Sequence, residues 1–187
     1  MRQSRQEKAK THERIVDVAS QRIREQGLDR PAVAEIMQAA GLTHGGFYKH
    51  FGSRDDLIAE ATENALAASD RHVHELTDHA QDPLAAFVDW YLSAEHRDDP
   101  GAGCAVAALG DDVRRGNERL RSAYGRQVER YIENVERFLG GGEEARQRAI
   151  LAVSALAGAI VLSRAVDDQA TSDEILNAVS KGISELR

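Results

Sequence analysis

The sequence predicts an all-α protein in two parts, a three-helix N-terminal head over residues 1–54 and a larger helical body over residues 55–187. Three observations carry this. Apolar residues recur at three- and four-residue spacing through most of the chain, and no run alternates as a half-buried strand would. Only three prolines interrupt 187 residues. Glycines stand where the apolar stripes end, and Ser, Thr, Asn or Asp stand where the next ones begin, the residue types that stop and start helices.

Composition narrows the possibilities. Hydrophobic residues make up 42% of the chain, ordinary for a soluble globular protein with a core to bury. The single cysteine excludes an internal disulfide framework, so a reducing cytoplasm is the expected location. The start, Met-Arg-Gln-Ser-Arg, shows no signal peptide. Ala149 to Ser163 is uncharged but short of the ~20 residues a membrane span needs, so no membrane partner is expected. The net charge is −7, yet its distribution is uneven. Residues 1–54 hold ten Lys/Arg against six Asp/Glu (+4), and residues 55–187 hold fourteen against twenty-five (−11). A basic head on an acidic body suits a protein that offers one end to a polyanion.

Residues 1–10 carry Arg2, Arg5, Lys8 and Lys10 and read as a partly ordered cationic arm. The first helix runs to Gln26 with Ile15, Val18, Ala19 and Ile23 as its inner stripe; Gly27 ends it and Leu28 follows as the apolar contact. The next stripe is Val33, Ile36, Met37 and Ala40, stopped by Gly41. Leu42 is an apolar plug, and Thr43 is placed to cap a second short helix, His44 to His50. Helix, glycine turn, helix is the helix-turn-helix pattern, whose second helix enters the DNA major groove. Gly45 and Gly46 weaken that helix by about 1 kcal/mol each relative to Ala. Either they permit close backbone approach to another surface or they mark a loop; Phe47 and Phe51, four apart, favour a helix. Tyr48, Lys49 and His50 then form a donor-rich outward face suited to phosphate oxygens, or an ordinary solvated one. Ser53 with Asp56 approximates a capping box, and Arg54 stands in the first turn of the following helix, where a nearby phosphate would offset the unfavourable dipole.

The run Gly-Leu-Thr-His-Gly-Gly-Phe-Tyr-Lys-His-Phe-Gly-Ser-Arg-Asp-Asp-Leu closely resembles the DNA-binding domain of TetR-family transcriptional regulators, over about residues 5–60. The resemblance implies that Thr43, His44, Gly45 and Gly46 face bases and that Tyr48, Lys49, His50 and Arg54 face phosphates. It also implies a homodimer whose second domain senses a small molecule. Two positions depart from the family pattern. Pro31 and Ala32 stand where a Thr or Ser usually caps the first motif helix and touches a phosphate, and Met37 replaces a small residue.

The body begins with a long helix from Arg54 to about His79, carrying Leu57, Ile58, Ala61, Ala65, Leu66, Val73 and Leu76, and linking head to body. His72, His74 and His79 lack the spacing and partners of a metal set, so no metal and no cofactor is expected. Asp82 and Pro83 open a helix to about His96. Its Phe87, Trp90 and Tyr91 concentrate aromatics in a chain poor in them, as a pocket wall or as plain core. Cys104 precedes the helix Ala105–Arg115. A thiol there is either a reactive sensor favoured by the helix dipole or a small buried residue. Asn117 caps a helix to Leu139, on which Tyr124 and Tyr131, two turns apart, are placed to line a cavity with Trp90.

Gly140 to Gly142 break the chain. A helix from Glu143 to Val166 then follows, apolar nearly all round, which implies burial nearly all round and hence a partner. Ala152, Ala155, Leu156 and Ala159 on it, with Ile175, Val179 and Ile183 on a last helix starting at Ser172, are expected to form a two-fold four-helix seam. Together these readings describe a dimeric, ligand-responsive repressor that binds a near-palindromic DNA operator. The rival is a helical sensor or scaffold without specific DNA binding. No nucleophile–base pair or cofactor fingerprint points to an enzyme.

Overall fold

The computed structural model describes residues 5–142 and 144–186. Among them the secondary structure is helical throughout: α1 (Arg5–Gln26), α2 (Val33–Ala39), a 3₁₀ helix (His44–Lys49), α3 (Arg54–Thr77), α4 (Pro83–Tyr91), α5 (Ala94–Asp98), α6 (Ala105–Arg115), α7 (Glu118–Phe138), α8 (Ala145–Ala165) and α9 (Gln169–Ser184). Arg2 lies outside the described residues. From Arg5 onward the cationic segment is the first turns of α1, not a loose arm.

α1 and α3 are the frame. Ile15, Ala19 and Ile23 are fully buried on α1, joined by Val16, while Val18 packs only in part. Leu57, Ala61 and Ala65 face them from α3. Small side chains at this seam bring the backbones close enough for the Ser20 hydroxyl to donate to the Ala61 carbonyl at 2.8 Å. α2 closes the small N-terminal core with Ile36 and Met37. Gly41, at φ +71°, turns the chain through the left-handed region, and the Leu42 amide reaches back to the Met37 carbonyl at 2.8 Å, the bond that satisfies an orphan carbonyl at a helix end.

Two boundaries differ from the sequence reading. The expected helix Leu84–His96 is broken after Tyr91: Ser93 is extended and its hydroxyl accepts from the His96 amide at 3.1 Å, starting α5. A Ser hydroxyl competes with the helix for backbone donors, and here it wins. The last helix begins at Gln169, capped by Asp168 through the Thr171 amide. Ser172 is inside it and buried, donating to the Ser163 carbonyl at 2.8 Å. Glu143, the expected first residue of the preceding helix, lies outside the described residues. α8 is long and apolar enough to cross a membrane by length and composition alone. It packs along α7 and α9 through Ala149, Ala152, Val153, Leu156, Ala159 and Ile160.

Candidate nucleic-acid interface

The tip of the N-terminal part is built on two rings. Phe47 and Phe51 are buried and stacked with centroids 5.5 Å apart. They anchor His44–Lys49 from below. That segment is a 3₁₀ helix, with the Gly46 amide on the Thr43 carbonyl and the His50 amide on the Phe47 carbonyl, not the α-helix the spacing suggested. Adjacent glycines lower α propensity, and the tighter i→i+3 pattern suits a piece this short. Thr43 precedes it in extended conformation and its side chain makes no capping bond.

Thr43, His44, Gly45, Tyr48 and Lys49 are exposed, Tyr48 at 74%. A Cβ added at Gly45 would meet nothing within 4 Å, whereas one at Gly46 would touch the Met37 methyl at 3.5 Å. The first is open space and the second an ordinary van der Waals contact, so packing within the chain requires glycine at neither position. His50 is half-buried beside His12 and Phe51, and its Nδ1 is enclosed without a hydrogen-bond partner. Burial, then the neighbouring His12, Lys8 and Lys49, lower its pKa below the usual histidine value. His12 was not singled out from sequence. It stacks on Phe51 at 4.5 Å and meets Glu60 Oε1 at 2.6 Å. Its signal was present: it lies one helical turn before Val16, on the buried side of α1.

Arg54 requires a correction. Its Nη2 donates to the carbonyls of Leu28, Asp29 and Pro31 at 2.7, 3.0 and 3.3 Å. The guanidinium is thus engaged with the turn between α1 and α2 and fastens it to the start of α3. Ser53 caps α3 through the Asp56 amide as expected. α2 starts after Ala32 with no side-chain cap, in keeping with the missing hydroxyl at Pro31-Ala32.

The body residues divide between core and surface. Phe87, Tyr91, Cys104 and Tyr131 are all fully buried against one another, with Phe87 5.5 Å from Tyr91 and 5.8 Å from Tyr131 and the Cys104 thiol 3.4 Å from the Tyr131 hydroxyl. They are core, not the wall of an open cavity. Burial, then the nearby Cys104, push the phenols of Tyr91 and Tyr131 well up. Tyr124 is half-buried with its hydroxyl donating to the Val106 carbonyl at 2.8 Å, and burial pushes its pKa up to about 12. Trp90 borders an open cleft with His72 and His96. Cys104 does sit at the start of α6, but its thiol is inside the fold. Its amide donates to His96 Nε2 at 2.8 Å, while His96 Nδ1 donates to the Tyr91 carbonyl at 2.6 Å. This fixes one neutral tautomer, and burial lowers the His96 pKa to about 4. Among the described residues no group of three or more His, Cys, Asp or Glu could hold a metal ion.

The residues expected at the seam divide by burial. Ala152, Leu156, Ala159 and Ile183 are buried within the protomer, and Ala155, Ile175 and Val179 are half-buried. The face that α8 leaves open carries Ile150, Leu151, Val161 and Leu162 instead, at 43, 57, 48 and 56% exposure. These are two pairs eleven residues apart, three turns on one side of a helix.

Comparison with known proteins agrees with the fold. The sequence model of the family described as "Bacterial regulatory proteins, tetR family" matches residues 15–61, which span the whole helix-turn-helix. An HTH-type transcriptional regulator of Mycobacterium tuberculosis is 32% identical over 167 residues, 81% of this chain and 83% of the relative. The regulator AcrR of Shigella flexneri is 39% identical over 62 residues, 33% of this chain and 29% of its own. Among solved structures, a TetR transcriptional regulator from Chloroflexus aurantiacus superposes with TM-score 0.82 at 21% identity, covering 96% of this chain and 97% of that one. Reduced Escherichia coli NemR does so with TM-score 0.79 at 20% identity, covering 94% and 96%. The chain belongs to the TetR family of helix-turn-helix transcriptional regulators.

Proposed function

We propose that the protein is a cytoplasmic repressor that binds a near-palindromic operator as a homodimer and leaves it when a small molecule binds the body. One observation carries the DNA half: an exposed tip of Thr43, His44, Gly45, Tyr48 and Lys49, held from below by Phe47 and Phe51 and carrying a glycine that nothing inside the chain requires. Thr43, His44, Gly45 and Gly46 approach base edges, where hydrogen bonds discriminate sequence. Tyr48, Lys49 and His50 reach phosphates, which orient the tip without reading sequence. Arg54 acts from behind by holding the α1–α2 turn.

The homodimer follows from the open face of α8. Ile150, Leu151, Val161 and Leu162 form a contiguous apolar stripe of the kind a monomer rarely leaves in water. A second copy related by a two-fold axis would cover it with the same residues. The division of labour falls near residue 54, with α3 common to both parts, since α3 packs against α1 on one side and α4, α6 and α7 on the other. A body ligand that favours one orientation of α3 over another thereby changes the separation of the two tips.

The experiment is selection of bound duplexes from a random pool, followed by anisotropy titration of the best sequence against a shuffled one. A two-fold-symmetric consensus bound at least a hundredfold more tightly than the shuffled duplex is expected. Equal affinity for both would overturn the reading.

A further inference from the structure

A cleft of about 350 Å³ opens between α3, α4, α5 and the strap 99–103, lined by His72, Trp90, Glu95, His96, Asp99 and Gly103. Its size is that of a small-molecule site. Its floor is aromatic: the Trp90 indole lies flat on the His96 ring at 4.9 Å and 17°, and meets the His72 ring edge-on at 4.6 Å. His96 is buried, with Nδ1 donating to the Tyr91 carbonyl and Nε2 accepting from the Cys104 amide. At the rim stand two exposed carboxylates, Glu95 and Asp99, four residues apart. The lining contains no Lys or Arg. Arg164, beside Gly103, donates to the carbonyls of His96 and Arg97, Arg24 donates to the Gly101 carbonyl, and Arg97 is paired with Asp98 and Asp173. An aromatic floor with two carboxylates at its rim favours positive charge, because ring quadrupoles and carboxylates attract a cation and repel an anion, and the two guanidinia that Asp99 also feels, Arg24 and Arg164, are held on backbone carbonyls.

The strap that forms one wall also touches α1. The Gly101 carbonyl accepts from Arg24 Nε at 2.6 Å. A Cβ at Gly101 would lie 2.6 Å from Glu25 Oε1 and 2.9 Å from Gln21 Cγ, so the strap runs directly on α1. Within it, Asp99 Oδ1 accepts from the Ala102 amide at 3.1 Å, so the rim carboxylate also sets the turn that presents Gly101.

We propose that the cleft between Trp90 and the strap binds a small organic ammonium cation, and that its contact with Asp99 is passed to α1 through the Gly101–Arg24 hydrogen bond. The second half rests on the effector-responsive reading above; the first does not.

Trp90 is the chain's one tryptophan, so its emission, excited at the red edge, reports this cleft alone. The full-length protein is titrated with phenyltrimethylammonium chloride, with benzyl alcohol as the neutral probe and benzenesulfonate as the anion. A saturable change with the cation is expected, at least tenfold weaker with the alcohol and absent with the sulfonate. Glu95→Gln and Asp99→Asn together should weaken the cation at least tenfold with an unchanged melting temperature. Glu95→Gln alone, an exposed side chain, should weaken it at least threefold. Equal affinity for cation and alcohol, or indifference to both carboxylates, overturns the ligand class. On operator DNA, Arg24→Gln should keep the cation affinity but reduce at least threefold the change that the cation makes in DNA affinity; an unchanged coupling overturns the relay. Failure to bind any DNA specifically would overturn the regulator reading instead, and the cation titration, which uses no DNA, would be untouched by it.

Discussion

The backbone amide of Leu28 donates to the Asp112 carboxylate at 2.9 Å, across 84 residues of sequence. It fastens the turn after α1 to the last turns of α6, so the helix-turn-helix end and the body share a buttress besides α3. Asp112→Ala leaves a half-buried amide without its acceptor, and a loss of about 1–2 kcal/mol in urea unfolding is expected. Gly27→Ala should cost more. Gly27 has φ +86°, which a Cβ disfavours, and the added carbon would lie 2.6 Å from Asp112 Oδ2.

Arg54 and Lys49 are expected to separate two kinds of cation. Arg54→Ala removes the Nη2 contacts to carbonyls at residues 28, 29 and 31, so it should lower the unfolding free energy by about 1–3 kcal/mol. It should leave the salt dependence of DNA binding unchanged. Lys49→Ala should do the reverse, lowering the slope of log K against log salt by about 0.9 with no change in stability. A stable Arg54→Ala protein with a reduced slope would return Arg54 to the phosphate set.

The contacts of Arg54 mark what the sequence leaves unwritten. The helix order, the caps at Ser53, Asp82 and Asn117, and the glycine stops were legible because each depends on residues adjacent in sequence. Arg54's acceptors are backbone carbonyls 23 to 26 residues earlier, and carbonyls leave no mark on a sequence. The Leu28–Asp112 and Arg24–Gly101 contacts were invisible for the same reason. The aromatic cluster shows a different limit. Composition drew attention to Phe87, Trp90 and Tyr91, but whether a cluster is filled or hollow depends on how the helices approach, which periodicity does not encode. His96 hid behind the Ser93 break that turned it inward.

His96 gives a pH dependence with a definite sign. Its folded-state pKa of about 4 lies below its ordinary 6.5, so as pH falls the unfolded chain takes up the proton first. The stability it contributes is complete above pH 6.5 and is lost between pH 6.5 and 4, to a limit of about 3 kcal/mol. Carboxylates titrate in the lower part of that window, so the informative quantity is a difference. His96→Gln can keep both backbone bonds without titrating. Its stability should fall less steeply than that of the parent between pH 6.5 and 4.5 in denaturant melts; parallel curves would remove His96 from the account.

His50 should act oppositely in DNA binding. Its pKa is lowered in the free protein by burial and by neighbouring positive groups. A phosphate brought to the tip favours the protonated form, so the complex binds a proton that the free protein does not. Affinity should therefore strengthen as pH falls from 7.5 to 6. His50→Gln is the variant that isolates this contribution. Anisotropy titrations at several pH values should show a shallower dependence for the variant; an identical one would place His50 away from the phosphates.

The open face of α8 provides a paired test of how the molecule doubles. Helix α8 has almost no amphipathic contrast, so the sequence alone did not say which side of it faces α7 and α9. The structure turns Leu156 inward at 1% exposure and leaves Leu151 and Leu162 outward at 57 and 56%. Leu156→Asp would bury a carboxylate in an apolar site and should destabilise the protomer by several kcal/mol. Any loss of dimer in that variant would then be a consequence of unfolding. Leu151→Glu with Leu162→Glu places charge on a surface already solvated, so the helical content and melting profile of the protomer should persist. Sedimentation velocity should show this double variant as a folded monomer at concentrations where the parent is a dimer, because two copies related by a two-fold axis would set four carboxylates in one desolvated patch. A folded dimer with both substitutions would mean that the copies meet elsewhere, and the stripe would need another partner.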